Sequence, residues 1–218
     1  MFVVKKFIFN PFSENTYLLW DENSKDALVV DPGCSSTHEE NEIKEFAEKN
    51  SLNVKYMVNT HCHIDHLFGC RFIKETFNAE YYIPAEEKIL LKNSETQSSL
   101  FGMKIKKPPE PDNFITPGTM LKKPFDKIKF LHTPGHTEGE YCLYFQDELF
   151  CITGDVLFKG SIGRTDLWGG DYNSLINSIK YKLFTLPDEV IIYPGHGENS
   201  TIGTEKKENP FLAELNIK

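Results

Sequence analysis

Three imidazoles and one carboxylate fall within six consecutive residues, His61-Cys62-His63-Ile64-Asp65-His66. Burying such a cluster without a cation is costly, whereas neutral imidazole nitrogen and carboxylate oxygen are donors that a divalent ion takes readily. Three further turns carry a donor of the same kind. Thr133-Pro134-Gly135-His136, Thr153-Gly154-Asp155 and Pro194-Gly195-His196 each follow directly on an apolar run, as the histidine cluster follows Val54–Val58. Five of the seven histidines lie in these four turns, which marks the pattern as more than scattered surface imidazoles. Two donor sets can be drawn: His61, His63 and His136 for one ion, and Asp65, His66 and His196 for a second, with Asp155 bridging. Two ions held roughly 3.5–4 Å apart share a water and lower its pKa toward about 7, so hydrolysis is the natural reaction.

The elements that must position these donors are strands ending at a common edge. Apolar runs at Phe2–Phe9, Tyr17–Trp20 and Ala27–Val30, separated by Asn10-Pro11 and Asp21-Glu22-Asn23, predict antiparallel strands. Thr37 with Glu40 predicts a capping box for a helix running to Asn50, with Ile43, Phe46 and Ala47 on its apolar face. A helix with Leu67, Cys70, Ile73 and Phe77 on one side follows the histidine cluster, then a strand at Glu80–Ile83 and a helix opened by Pro84. The stretch 92–121 is rich in Ser, Lys and Pro and is expected to be a long loop. Strands return at Ile128–Leu131, Tyr141–Phe145, Leu149–Ile152 and Val190–Tyr193, with a helix at Ser174–Phe184 carrying Leu175, Ile179 and Leu183. His38 and His132 fall outside the donor pattern and read as structural, and alternation turns Cys62 away from its neighbours into the core.

Composition bounds the rest. The 218 residues are expected to form one domain, 1–218, large enough to hold a core without staples. A net charge of −8 argues against nucleic acid as a partner, and no apolar run approaches the roughly 18 residues that span a bilayer. The short apolar start, Met1-Phe-Val-Val, gives way to Lys5-Lys6 and reads as no leader, so the expected location is the cytoplasm. Five scattered cysteines read as reduced thiols.

Thr60-His-Cys-His-Ile-Asp-His66, Thr133-Pro-Gly-His136, Gly154-Asp155 and Pro194-Gly-His196, in this order, resemble the metallo-β-lactamase superfamily. The likeness is nearest to its glyoxalase II (hydroxyacylglutathione hydrolase) branch. It implies an α+β fold, a four-layer αββα sandwich with a binuclear site at one edge, and a pair of divalent ions, zinc first with iron or manganese as alternatives. Asp31, in Val29-Val-Asp-Pro-Gly33, matches a position that hydrogen-bonds a ligand histidine. Arg164 falls where glyoxalase II has a basic residue for the substrate carboxylate, against a structural pairing with Asp166. The expected reaction is hydrolysis of a small-molecule thioester such as S-lactoylglutathione by a metal-bridging hydroxide. Asp65 would serve as both ligand and catalytic residue, orienting that nucleophile.

Departures from the pattern prune the branch. Asp155 stands where the commonest β-lactamase subclass has cysteine, which argues against antibiotic hydrolysis. The sequence ends soon after Pro210-Phe-Leu, without the C-terminal helical domain that serves glutathione in full-length glyoxalase II. Gly163-Arg164-Thr165-Asp166 also resembles persulfide dioxygenases, which use one iron; Pro194-Gly-His196-Gly197, in place of Pro-Ala-His-Asp, favours the hydrolase. A scaffold merely stabilised by metal is the non-enzyme alternative. It ranks last, because structural sites are closed by protein ligands and seven donors over two ions leave vacancies. Sequence gives no reading of oligomeric state.

Overall fold

Strand polarity decides where the loops of this chain end up. A computed structural model describes residues 1–213 and divides the chain into two compact units, Met1–Ile115 and Thr116–Lys218.

The first unit is built on a six-stranded sheet in sequential order: β1 (Phe2–Phe9), β2 (Glu14–Asp21), β3 (Asp26–Val30), β4 (Asn53–Val58), β5 (Glu80–Pro84) and β6 (Asn113–Ile115). The first three strands are antiparallel neighbours, as tight turns require. From β3 to β6 the strands are parallel, joined through α1 (Thr37–Lys49), α2 (Cys70–Phe77), and α3 (Lys88–Lys92) with α4 (Ser94–Leu100). Phe7, Leu18, Val29, Met57 and Tyr81 face one side of the sheet and share a core with Ile43 and Ala47 of α1 and Cys70 and Ile73 of α2.

The capping box of α1 lies one residue earlier than expected. Ser36 Oγ accepts the Glu39 N–H, and Glu39 Oε2 accepts the Ser36 N–H at 3.0 Å. Glu39 wins over Glu40 because its carboxylate also takes N–H groups from Ser35 at 2.7 Å and Asn10 at 2.8 Å, tying the helix to the β1–β2 turn. The stretch 92–121 is also not a bare loop, since it contains α4 and β6. Here β6 pairs parallel with β5, and Asp112 Oδ2 fixes its approach by accepting from the Tyr81 N–H at 2.7 Å and the Lys74 ammonium at 2.5 Å.

The second unit has a five-stranded sheet in the order β13-β12-β9-β8-β7, with β7 (Lys129–His132), β8 (Tyr141–Phe145), β9 (Phe150–Gly154), β12 (Ile191–Pro194) and β13 (Ser200–Thr201), beside a two-stranded β10 (Leu157–Phe158) and β11 (Ser161–Ile162). Because β8 is antiparallel to both β7 and β9 while β12 is parallel to β9, strands β7, β9 and β12 run the same way. Their C-terminal ends therefore reach one edge. The expected helix 174–184 is α5 (Tyr172–Ser178) continued by a π turn, Ile179–Leu183. Leu175, Ile179 and Leu183 are spaced by four, which outruns a 3.6-residue turn by about 40° per step, and the wider turn takes up the excess so that all three stay buried. A last helix, α6 (Ile202–Glu208), packs Ile202 into the same core.

All five cysteines are free and buried. No helix among the described residues is long and apolar enough to cross a membrane. Replacing Ser36 by alanine removes one half of the capping box and is expected to lower unfolding free energy by about 1 kcal/mol, read as a lower urea midpoint at unchanged slope.

Candidate metal centre

In the first unit the parallel pair β3 and β4 ends at Val30 opposite Val58, so Asp31 and Asn59 leave the sheet side by side. Asp31 adopts a left-handed backbone, φ 50°, uncommon for a residue with a Cβ, which turns its carboxylate toward the β4 end. There Oδ1 accepts the Thr60 N–H at 2.7 Å and Asn59 Nδ2 at 3.3 Å, and Oδ2 accepts the Thr60 hydroxyl at 2.8 Å. His66 Nδ1 lies 3.2 Å from the same Oδ2.

These contacts set the tautomers. The Thr60 hydroxyl spends its one hydrogen on Asp31, so at 3.0 Å from His61 Nδ1 its oxygen accepts, and His61 carries its proton on Nδ1. His66 likewise keeps its proton on the nitrogen that faces Asp31. Both rings then turn an Nε2 lone pair the other way, and the Asp65 carboxylate lies 3.7 Å from that of His66. The His61 ring lies 4.2 Å between centroids from His66, tilted by 56°, and meets His63 edge-on at 4.9 Å. Cys62 between them is buried in the core, as alternation predicts.

The second unit repeats the device with different partners. His136, Asp155 and His196 sit just past the ends of β7, β9 and β12. The Arg164 carbonyl lies 2.8 Å from His136 Nδ1 and can only accept, which places that proton and leaves Nε2 facing Asp155 Oδ2 at 3.5 Å. His196 Nε2 approaches the same oxygen at 3.6 Å. Lone pair against carboxylate at such distances, in both units, is the arrangement of groups that converge on a cation, so the donor chemistry fits a divalent metal. Glycine is required beside it. A Cβ on Gly163 would sit 1.9 Å from the Asp155 carbonyl oxygen, and one on Gly135, at φ 138°, 2.2 Å from the Leu175 backbone.

The profile of the Metallo-beta-lactamase superfamily matches residues 9–196. The chain belongs to this superfamily. It is 39% identical over 203 residues to hydroxyacylglutathione hydrolase GloC of Haemophilus influenzae, covering 92% of this chain and 93% of the relative. Of solved structures, BLEG-1 B3 metallo-β-lactamase aligns with a TM-score of 0.89 at 34% identity, covering 98% of this chain and all of that one. TTHA1623 in a di-iron-bound form aligns at 0.86 and 31%, covering 96% and 100%. The chain thus has the α+β metallo-β-lactamase fold and is a metallo-hydrolase of that superfamily.

The remaining expected positions are also placed. Arg164 forks onto Asp166 through Nε and Nη2 at 2.7 and 2.9 Å, a bond that holds the Asp166 carboxyl down to about 2. His38 is exposed on α1 beside Glu42, and His132 lies against Tyr141 with the rings tilted by 33°. Sequence reasoning passed over Asn59, whose side chain spans from Asp31 to the His66 carbonyl at 2.7 Å, and the buried carboxyls of Glu14, Glu87 and Glu140. Only Glu140 had a local signal, since it opens the apolar run of β8.

Glu14 supports Asp31 from behind. The Thr16 hydroxyl accepts the Gly33 N–H and has one hydrogen for two oxygens, the Asp31 carbonyl at 2.8 Å and Glu14 Oε2 at 2.9 Å. A protonated Glu14 resolves the shortage, consistent with burial pushing its carboxyl well above the usual range. A group that binds its proton more tightly folded than unfolded loses stability as pH rises above its unfolded value. In metal-free protein the stability of Glu14→Gln relative to wild type is therefore expected to increase from pH 5 to pH 8 in urea titrations. Asp31→Ala is expected to weaken cation binding 10- to 100-fold, measured by chelator competition.

Proposed function

We propose that the chain hydrolyses small thioesters of the hydroxyacyl-thiol type, with both units contributing to one catalytic domain and its seven donors holding two divalent ions. The observation that carries this reading is Asp155, a carboxylate approached by two imidazoles at 3.5 and 3.6 Å, which could serve as an oxygen donor shared by both ions. His61, His63 and His136 would hold one ion and Asp65, His66 and His196 the other. Zinc is the proposed metal, and the di-iron form of a similar structure makes iron the alternative that elemental analysis must weigh.

Bound cations of this kind acidify water at neutral pH and stabilise negative charge on a carbonyl oxygen. The residues do the remainder. Asp65, on the helical turn Ile64–His66, would accept a hydrogen bond from the attacking hydroxide and hold it in line. Asp31 and Thr60 keep His66 and His61 from rotating as charge develops. Arg164 retains Nη1 outside its fork on Asp166, available to an anionic arm of the substrate. The five free cysteines support a reducing, cytoplasmic setting. Support for the thioester comes from the likeness to GloC, and the likeness to BLEG-1 makes β-lactams the second substrate class to assay.

The test is elemental analysis of the purified protein together with thiol release from S-lactoylglutathione. Two equivalents of metal and turnover, with Asp155→Ala and Asp65→Ala each losing at least 100-fold, are the expected results. Cleavage of a chromogenic cephalosporin in place of thioesters would reassign the substrate. One iron per chain with oxygen uptake on glutathione persulfide would replace hydrolysis by persulfide oxidation.

A further inference from the structure

Two wholly buried glutamates lie against the donor loops, and no step above uses them. Glu87 closes the helical turn Ala85–Glu87 after β5, and its Oε2 accepts the Cys62 N–H at 2.8 Å. Glu140 precedes β8, and its Oε1 accepts the Asp155 N–H at 2.6 Å while its own carbonyl accepts the Thr133 N–H at 2.7 Å. One residue thus holds the loop of His136 through its backbone and Asp155 through its side chain.

A buried loop N–H needs an acceptor, but a hydroxyl, an amide or a backbone carbonyl would satisfy it without burying a carboxylate. What a carboxylate adds is a short, strong, directional bond. At Cys62 that bond orients the His61–Cys62 peptide, and so the angle at which the flanking imidazoles leave the chain. At Asp155 it is made by the residue's own N–H and fixes the direction of its side chain. We propose that Glu87 and Glu140 are positioning residues that aim the donors of the two units before metal arrives. This inference rests on the reading of those donors as cation ligands.

The molecule contains its own control. Glu205 is equally buried and its Oε2 accepts the Gly160 N–H at 2.8 Å, in the turn between β10 and β11 that carries no donor. The experiment measures zinc affinity of metal-free protein by competition with a chromophoric chelator, alongside thermal unfolding of the same metal-free samples. Glu87→Ala and Glu140→Ala are expected to weaken zinc binding 10- to 100-fold. Glu87→Gln and Glu140→Gln, which keep an acceptor oxygen but not the stronger carboxylate bond, should recover part of that loss and still bind more weakly than wild type. Glu205→Ala should lower the unfolding temperature and leave zinc affinity alone. Should an alanine variant fail to fold, Glu140→Asp or Glu87→Asp, which withdraw the acceptor by one methylene, should show the same loss of affinity.

Wild-type affinity in the alanine or aspartate variants, an equal loss in Glu205→Ala, or no rescue by glutamine would overturn the proposal while leaving the ligand reading intact. A wild-type protein that binds no zinc, iron or manganese would remove both. Zinc binding without thioester turnover would leave this inference standing and remove the proposed substrate.

Discussion

One carboxylate sets the chemistry of the first unit. Asp31 accepts three hydrogen bonds from Asn59 and Thr60 and faces the His66 ring nitrogen, and through the Thr60 hydroxyl it also decides which nitrogen of His61 carries a proton. Removing its charge would leave two imidazoles free to rotate and to change tautomer. The cost of the arrangement is visible in the backbone, since a left-handed aspartate is held against a steric penalty of about 1 kcal/mol or more. The surrounding bonds over-determine it. The Asp31 N–H is taken by the Val58 carbonyl and its own carbonyl by Thr16, so neither side of the residue can relax alone.

The second unit reaches the same end by strand direction. With β7, β9 and β12 running the same way, three successive chain segments deliver His136, Asp155 and His196 past one sheet edge, and pairing continues beyond the strands where the Gly195 N–H reaches the Gly154 carbonyl at 2.7 Å. Here a backbone carbonyl, that of Arg164, replaces a carboxylate as the group that fixes an imidazole. Neutral acceptors suffice for orientation. Side-chain carboxyl oxygens appear where a peptide plane must be held against a turn, at Thr60, Cys62 and Asp155.

Most of this was legible in the sequence where the signal is local. Strands such as Phe2–Phe9 and Tyr141–Phe145 are apolar runs bounded by turn residues, and they occur with those limits. The proposed donors stand out in the sequence because six residues hold four of them and the other three each follow a strand. What escaped depends on partners remote in sequence. The short strands β6, β10, β11 and β13 have too few residues to show a period; β6 exists because β5 offers an edge and Asp112 secures it. The capping residue was misplaced by one because the choice between Glu39 and Glu40 is made by Asn10, 29 residues upstream of Glu39. Glu87 looks like surface charge in a sequence of net charge −8, and Glu140 differs from it in sequence only by standing directly before the apolar run of β8, so their burial is what sets them apart.

The choice of donor atoms follows from the same packing. Cys62 lies between two histidines as a soft donor within the cluster, yet the extended segment turns it into the core, where burial pushes its thiol well above the ordinary range. A protonated, inward thiol does not compete for a cation. The donor set is left with imidazole and carboxylate alone, groups that suit zinc, iron and manganese alike and that do not select the softest ions. Metal identity would then be decided by supply and geometry, and on the proposed reading hydrolysis would depend on the carboxylate oxygens of Asp65 and Asp155. Alternation along a single strand end thus keeps the Cys62 sulfur out of the proposed donor set.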